Sequence, residues 1–128
     1  MSNISRYASG GKWEDVIGYS RTVKSGPLVS VSGCTSMKDG RLVYQGSTTL
    51  QTKQVFENLA EALKLAGAGF EHVIRTRIYV VNELDWKEVA AIHSEVFGNF
   101  KPACTIVVVT SLLDPAMLVE IEADAWLD

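Results

Sequence analysis

The stretch "HVIRTRIYVV", residues 72–81, decides how the chain is read. It is rich in β-branched and aromatic residues, which suit a pleated, half-buried surface, so it reads as a strand. Successive side chains of a strand point to opposite faces. Ile74, Thr76, Ile78 and Val80 therefore form one side, and Arg75, Arg77 and Tyr79 the other. The stretch "MLVEIEADAW" (117–126) divides the same way, with Val119, Ile121, Ala123 and Ala125 opposed to Glu120, Glu122, Asp124 and Trp126. Each strand thus has an apolar side to bury and a charged side left over.

Two amphipathic segments supply the cover. Between Thr48 and Ala66, the residues Val55, Phe56, Leu59, Leu63 and Ala66 recur at three- and four-residue steps, forming one helical stripe. Gly67 and Gly69 read as its C-terminal stop. Further on, Asp85 followed by Glu88 reads as a capping box, Val89, Ile92, Val96 and Phe97 as the stripe, and Gly98 with Asn99 as the end. Upstream, "VIGYSRTVKSGPLVSVSGCTS" (16–36) reads as two strands around the turn Ser25-Gly26-Pro27, and "KDGRLV" (38–43) as a further short turn and strand. "ACTIVVVTS" (103–111) is another strand, joined to the last by a turn at Asp114-Pro115. The first fifteen residues, rich in Gly and Ser, read as a surface wrap. The order hairpin, helix, strand, helix, strand, strand predicts an α+β sandwich, one mixed β-sheet with two helices on one face.

Composition narrows the function classes. A chain of 128 residues without repeats, low-complexity tracts or linkers is expected to be a single domain, 1–128. With 47% apolar and 21% charged residues it has the balance of an ordinary soluble protein. A net charge of −3 argues against nucleic acid as a partner, because phosphate binding rests on a clustered basic face. The cysteines, Cys34 and Cys104, lie far apart and in no metal-ligand spacing, which fits a reduced, cytoplasmic setting with no disulfide framework and no metal. "MSNISRYASGGKWED" (1–15) contains no apolar run, so neither a leader nor a membrane anchor is expected. No cofactor motif is present.

The charged side of the sheet has two readings. It is a solvated face whose charges pair weakly across strands, or it packs against other copies and lines a cleft. Tyr79 and Trp126 favour the second, because aromatics and arginine are enriched at interfaces. An oligomer is expected.

Among reactive side chains, His72 and His93 read as structural. Nucleophile elbow, phosphate loop, zinc-binding helix and dinucleotide fingerprint are all missing. Glu120, between Val119 and Ile121, sits in a semi-apolar strand that would raise its pKa and suit it to hold or deprotonate water. A salt bridge from Glu120 to Arg75 or Arg77 is the equal alternative. Cys104 has only Lys101 within reach to activate it and reads as an inert small hydrophobe.

Several strings taken together resemble one family. "VSVSG" (29–33), "RTRIYV" (75–80), "KPACTIVVV" (101–109) and "LVEIEADA" (118–125) are similar, in order and spacing, to the RidA/YjgF proteins, once labelled L-PSP endoribonucleases. The resemblance implies a chorismate-mutase-like subunit assembled as a homotrimer, with a central barrel and small-molecule clefts between neighbouring subunits. It also implies hydrolysis of 2-imino or enamine acids to 2-keto acids and ammonia. In that family an arginine just after the Pro-Ala of the signature clamps the substrate carboxylate, with a bidentate geometry a thiol cannot supply. Here that position is Cys104.

Other positions carry over: Glu120 onto the water-holding glutamate, Tyr19 onto the cleft tyrosine, and Ser32-Gly33 onto the cleft Ser-Gly. Cys34 and Trp86 are expected ligand contacts as well. The family's asparagine in the second helix is Ala90 here. "WED" (13–15) and "GYSR" (18–21) resemble a branch that lacks the arginine. Arg21, beside Tyr19, is then either a displaced positive charge or a surface arginine on an edge strand. Three functions follow: a deaminase-like hydrolase, a trimer that binds a small ligand without turning it over, and the ribonuclease of the old label. Net negative charge, few arginines and no catalytic histidine pair weigh against the last.

Overall fold

The structure, a computed structural model, describes residues 3–128. Its six-stranded sheet contains β1 (Ile4–Tyr7), β2 (Thr22–Ser25), β3 (Leu28–Cys34), β6 (Val73–Val80), β7 (Ala103–Val108) and β8 (Val119–Trp126), in the order β1-β2-β3-β8-β6-β7. Only β6 and β7 run parallel; the other neighbours are antiparallel. A separate two-stranded ribbon joins β4 (Met37–Lys38) to β5 (Arg41–Leu42). The helices are α1 (Lys12–Ile17), α2 (Thr48–Leu65) and α3 (Trp86–Phe97). The mixed sheet with α2 and α3 on one face is the predicted α+β arrangement, to which α1 is added.

The core lies between that helical layer and the sheet. From α2 come Val55, Phe56, Leu59 and Leu63, and from β8 Val119, Ile121, Ala123 and Ala125, all buried. Phe56, Phe70 and Phe97 meet edge to face, with centroids 5.3–6.4 Å apart. Gln51 crosses this layer without leaving a polar atom unmet: its Nε2 donates to the carbonyls of Tyr44 and Ala116, and its Oε1 accepts from the N–H of Leu118. No described helix is long and apolar enough to cross a membrane.

Four local expectations are corrected. The first fifteen residues do not simply wrap the surface: Ile4–Tyr7 pairs with β2, and Lys12 begins α1. The first strand of the hairpin consequently starts at Thr22, because Val16 and Ile17 belong to α1, which Gly18 ends at φ 89°. The hairpin turn at Ser25-Gly26-Pro27 is as expected, with Ser25 facing Leu28.

In β6 the core residue at the start of the strand is Val73, at 4% exposure, while Ile74 is 49% exposed. A bulge between Val73 and Arg75 interrupts the alternation, so the parity that places Thr76, Ile78 and Val80 inside does not extend back to Ile74. The capping box at Asp85 does not form either. Asp85 caps no backbone N–H; its carboxylate accepts from the Thr48 hydroxyl at 2.6 Å, tying the start of α3 to the start of α2.

Candidate functional site

The uncovered face of the sheet carries its charges in a diagonal ladder. Opposite residues across β6 and β8 are Arg77 with Glu122 and Tyr79 with Glu120. The side chains do not pair straight across. Arg77 reaches Asp124 at 3.2 Å, and the Tyr79 hydroxyl donates to Glu122. Asp124 also accepts from Ser30, and Arg75 turns to the Thr105 hydroxyl. This one-step offset consumes Glu122 and Asp124 and leaves Glu120 at the end of the ladder. Among the described residues, Glu120 accepts no hydrogen bond and forms no salt bridge, with Arg75 and Arg77 both engaged elsewhere.

Next to it β3 bulges. Val31 faces Ala123 and Cys34 faces Ile121, so one extra residue is accommodated between them. Gly33 lies in that bulge, directly under Glu120: a Cβ placed there would be 2.3 Å from Oε2 and 2.8 Å from Cδ. Only a residue without a side chain allows the carboxylate to lie across the backbone.

Arg21 holds the bulge from below. Its Nη1 donates to the carbonyls of Ser32 and Gly33, both at 2.8 Å, and stands 3.6 Å from Cys34 Sγ. Its Nη2 donates to the Tyr19 hydroxyl at 3.1 Å, and the guanidinium carbon lies 5.4 Å from the Tyr19 ring centroid. The Ser32 hydroxyl donates to the carbonyl of Ser20.

These groups form the polar end of a cleft of about 990 Å³. Its lining also includes the apolar side chains of Trp13 and Ile17 of α1, Met37 of the ribbon, Leu65 of α2, Leu113 and Met117, beside polar ones such as Lys12, Lys38, Asn58 and Glu61. Two devices hold the walls. Glu14 of α1, 6% exposed, accepts from the N–H and hydroxyl of Ser9 and from the N–H of Gly11. Asn58 Nδ2 donates to the carbonyls of Thr35 and Met37, each at 2.8 Å, and so pins the ribbon to α2. Trp13 Nε1 is buried without a hydrogen-bond partner.

Burial is the main force on the ionisable groups here. It raises the Glu120 carboxyl, with the neighbouring Glu122 charge adding to the rise and Arg21 opposing it. The Cys34 thiol is pushed up to about 11 by burial, against the pull of Arg21, so it stays a protonated, unreactive thiol at neutral pH. For Glu14, burial would raise the carboxyl, but its bonds from Ser9 and Gly11 and the charge of Arg21 outweigh that and hold it below the ordinary range.

Tyr19, Arg21, Ser32, Gly33, Cys34 and Glu120, separated by up to a hundred residues of chain, therefore meet in one cleft. Cys104 and Trp86 are not among its walls. Cys104 is exposed on the edge strand β7, opposite Thr76, and Trp86 is 44% exposed in the first turn of α3. Arg21 is no surface arginine; it is bonded into the cleft wall. His93 bonds Thr76 Oγ1 through Nε2 at 2.9 Å, and His72 Nδ1 accepts from the N–H of Gly69, both structural contacts. No group of three or more His, Cys, Asp or Glu among the described residues is placed to hold a metal. Trp13 and Glu14 entered the sequence reading only within the "WED" string and Asn58 not at all: a six-residue helix has too few turns to display a stripe, and an asparagine on a polar helix face gives no sign of what it binds.

The fold has close counterparts among solved structures. Residues 12–127 match the family model described as Endoribonuclease L-PSP. The chain belongs to the RidA/YjgF family. The crystal structure of Rv2704 from Mycobacterium tuberculosis, described as a member of the YjgF/YER057c/UK114 family, is 40% identical and superposes with a TM-score of 0.87 over 97% of this chain and 99% of that one. The uncharacterized protein SCO2049 of Streptomyces coelicolor is 36% identical over 96% of this chain and 92% of its own length. The chloroplastic Reactive Intermediate Deaminase A of Arabidopsis thaliana is 34% identical over 66% of this chain and 46% of that protein.

Proposed function

We propose that this RidA/YjgF protein is a cytoplasmic homotrimer that hydrolyses an imine, enamine or related small metabolite, with Glu120 holding the attacking water. The observation that carries this is the state of Glu120: a partly desolvated carboxylate, open to the cleft, with no hydrogen bond from the described residues. Such a group has both oxygens available to accept from water and a pKa moved toward the working pH of a general base. The relative named a reactive intermediate deaminase supports the same chemistry.

In the step itself, Glu120 takes a proton from water as the water oxygen bonds to the imine carbon. The tetrahedral carbinolamine receives on nitrogen the proton that Glu120 took and the one its hydroxyl releases, the C–N bond breaks, and ammonia leaves behind a carbonyl with Glu120 again a carboxylate. Oxidation state is unchanged and no co-reactant besides water is consumed.

The trimer is supported by what a single chain leaves uncovered. Leu28, Val107, Val108 and Trp126 are exposed along the sheet. Cys104 and Trp86 reach a cleft only if a neighbouring copy brings them, which is how the family's inter-subunit site is expected to form. In this chain Cys104 stands in place of the carboxylate-binding arginine, so the natural substrate is expected to lack, or to bind weakly through, the carboxylate that arginine would clamp. The other reading, a trimer that holds a small ligand without turning it over, is favoured by the same replacement.

The test is ammonia release from 2-imino acids generated in situ by an amino-acid oxidase, with sedimentation of each variant to confirm assembly. The wild-type protein is expected to accelerate hydrolysis, and Glu120→Gln to lower the rate by about a hundredfold or more while sedimenting unchanged. If Cys104→Arg alone is active, the scaffold is competent and the natural substrate is of another class. Inactivity of both overturns the hydrolase and leaves the binding trimer.

A further inference from the structure

Arg21 stands where the cleft is assembled, yet most of its hydrogen-bonding capacity is spent inside the protein. A guanidinium has five N–H donors in a fixed fork. Here Nη1 serves two successive backbone carbonyls, Ser32 and Gly33, and Nη2 serves the Tyr19 hydroxyl. The two carbonyls belong to the bulge of β3, where the extra residue removes them from the regular ladder with β8. The same bulge carries the glycine on which Glu120 rests.

We propose that Arg21 is the positioning residue of this cleft: its fork fixes the backbone bed beneath Glu120 and turns the Tyr19 hydroxyl into a donor aimed at the ligand. The second half follows from the direction of the bond. Tyr19 oxygen accepts from Arg21, and its own proton has no acceptor among the described residues. The phenol is thereby kept as a donor, so the polar end of the cleft offers one fixed donor at Tyr19 and one fixed acceptor at Glu120. A ligand with an acceptor atom for Tyr19 and a water or N–H group for Glu120 is the chemical class it suits. The role assigned to the ligand rests on the cleft reading given above; the positioning itself does not.

The charge of Arg21 contributes as well. Glu120 is faced by Glu122 on its own strand, by Tyr79 on β6 and by Cys34 and Arg21 from the β3 side. Arg21 is the cation of that set that opposes the rise of the Glu120 carboxyl. Removing it therefore changes a titration that a purely mechanical clamp would leave alone.

The experiment follows Glu120 by carboxyl-carbon NMR titration, and Ser32, Gly33 and Cys34 by their amide resonances, in the unliganded protein. Arg21→Gln is expected to raise the Glu120 midpoint and to move all three amides. Arg21→Lys, which keeps the charge but not the fork, is expected to move the amides with a smaller change in the midpoint. A folded Arg21→Gln protein in which midpoint and amides both match the wild type overturns the proposal. If Arg21→Gln does not fold, Arg21→Lys decides: unchanged amides overturn it, displaced amides sustain it. Because no substrate is present in the titration, these shifts in the Arg21 variants, found together with inactivity of both the wild type and Cys104→Arg, would overturn the hydrolase and leave the role of Arg21 standing.

Discussion

The Gly33 backbone lies so close to Glu120 that a methyl group at Gly33 would sit 2.3 Å from the carboxylate oxygen. The contact is between β3 and β8, and it defines the polar end of the cleft. Gly33→Ala is expected to expel the Glu120 side chain or to spread the two strands, at about 1–3 kcal/mol, the usual range for overpacking. Thermal or denaturant unfolding of Gly33→Ala, Glu120→Ala and the double variant measures it. Coupling is the expected result, with the double variant losing much less stability than the sum of the singles. Strict additivity would show that the two residues do not share this space.

Glu120 and Glu14 are expected to act on stability with opposite signs. The Glu120 carboxyl is raised in the folded protein, so the native state holds its proton more tightly than the unfolded chain does. Its contribution is fully present below the ordinary value of 4.5 and is lost as pH rises through the folded value. Unfolding free energies of wild type and Glu120→Gln, taken across that window, are expected to converge at low pH and to separate above it, the glutamine variant becoming the more stable.

For Glu14 the folded value is lowered, so its contribution is present above 4.5 and disappears as pH falls through the folded value. Glu14→Gln is expected to cost about 1–3 kcal/mol at neutral pH, the range for orphaning buried donors. It should also speed amide exchange in α1, because Glu14 is what fastens that helix to Ser9 and Gly11. Unchanged exchange across Lys12–Ile17 would show that the helix is held by something else.

The two thiols are expected to differ in reactivity. Cys34 is buried, with its thiol raised to about 11, and has little thiolate at neutral pH. Mass spectrometry after maleimide treatment at pH 7.5 is expected to find Cys34 unmodified in the native protein and modified only once the chain is denatured. Native-state modification of Cys34 would mean that the β3 bulge opens on the labelling timescale.

The Thr48–Asp85 bond links two helix starts far apart in sequence. Thr48→Val removes the donor at nearly constant volume and is expected to destabilise by about 1–3 kcal/mol, as for a hydrogen bond to a charged group. Asp85→Asn should cost less, because the amide oxygen still accepts. The order of the two variants in denaturant midpoint checks this.

Much of the architecture was legible where periodicity is long enough to reveal a face. The α2 stripe of Val55, Phe56, Leu59 and Leu63 and the alternation of β8 are both buried as read. The losses fall where a single extra residue or a short element breaks the count. Ile74 was placed inside because parity was extended past a bulge, and α1 was missed because what stabilises it is the fastening of Glu14 to Ser9 and Gly11. Of the cleft residues, Tyr19, Ser32 and Gly33 come from the resemblance, Glu120 from its semi-apolar strand as well, and Arg21 from its place beside Tyr19, but the fastening of Arg21 to two carbonyls is not legible in the sequence. Spacing in one dimension cannot say that a cation will be used up by the backbone. Cys104 and Trp86 lie outside the cleft of a single chain.

The last strand of the chain, β8, occupies the middle of the sheet, between β3 and β6. During synthesis, therefore, the hairpin of β2 and β3 and the pair of β6 and β7 have no common neighbour until β8 has left the ribosome. Neither half has its apolar face closed before then, and the pairing of β3 with β8 joins residues about ninety positions apart. Such distant closure makes folding slow relative to helical proteins of this size and holds it back until β8 has been made. A ribosome stalled just before β8 would hold a nascent protein with two sticky strand edges exposed, a natural client for chaperones.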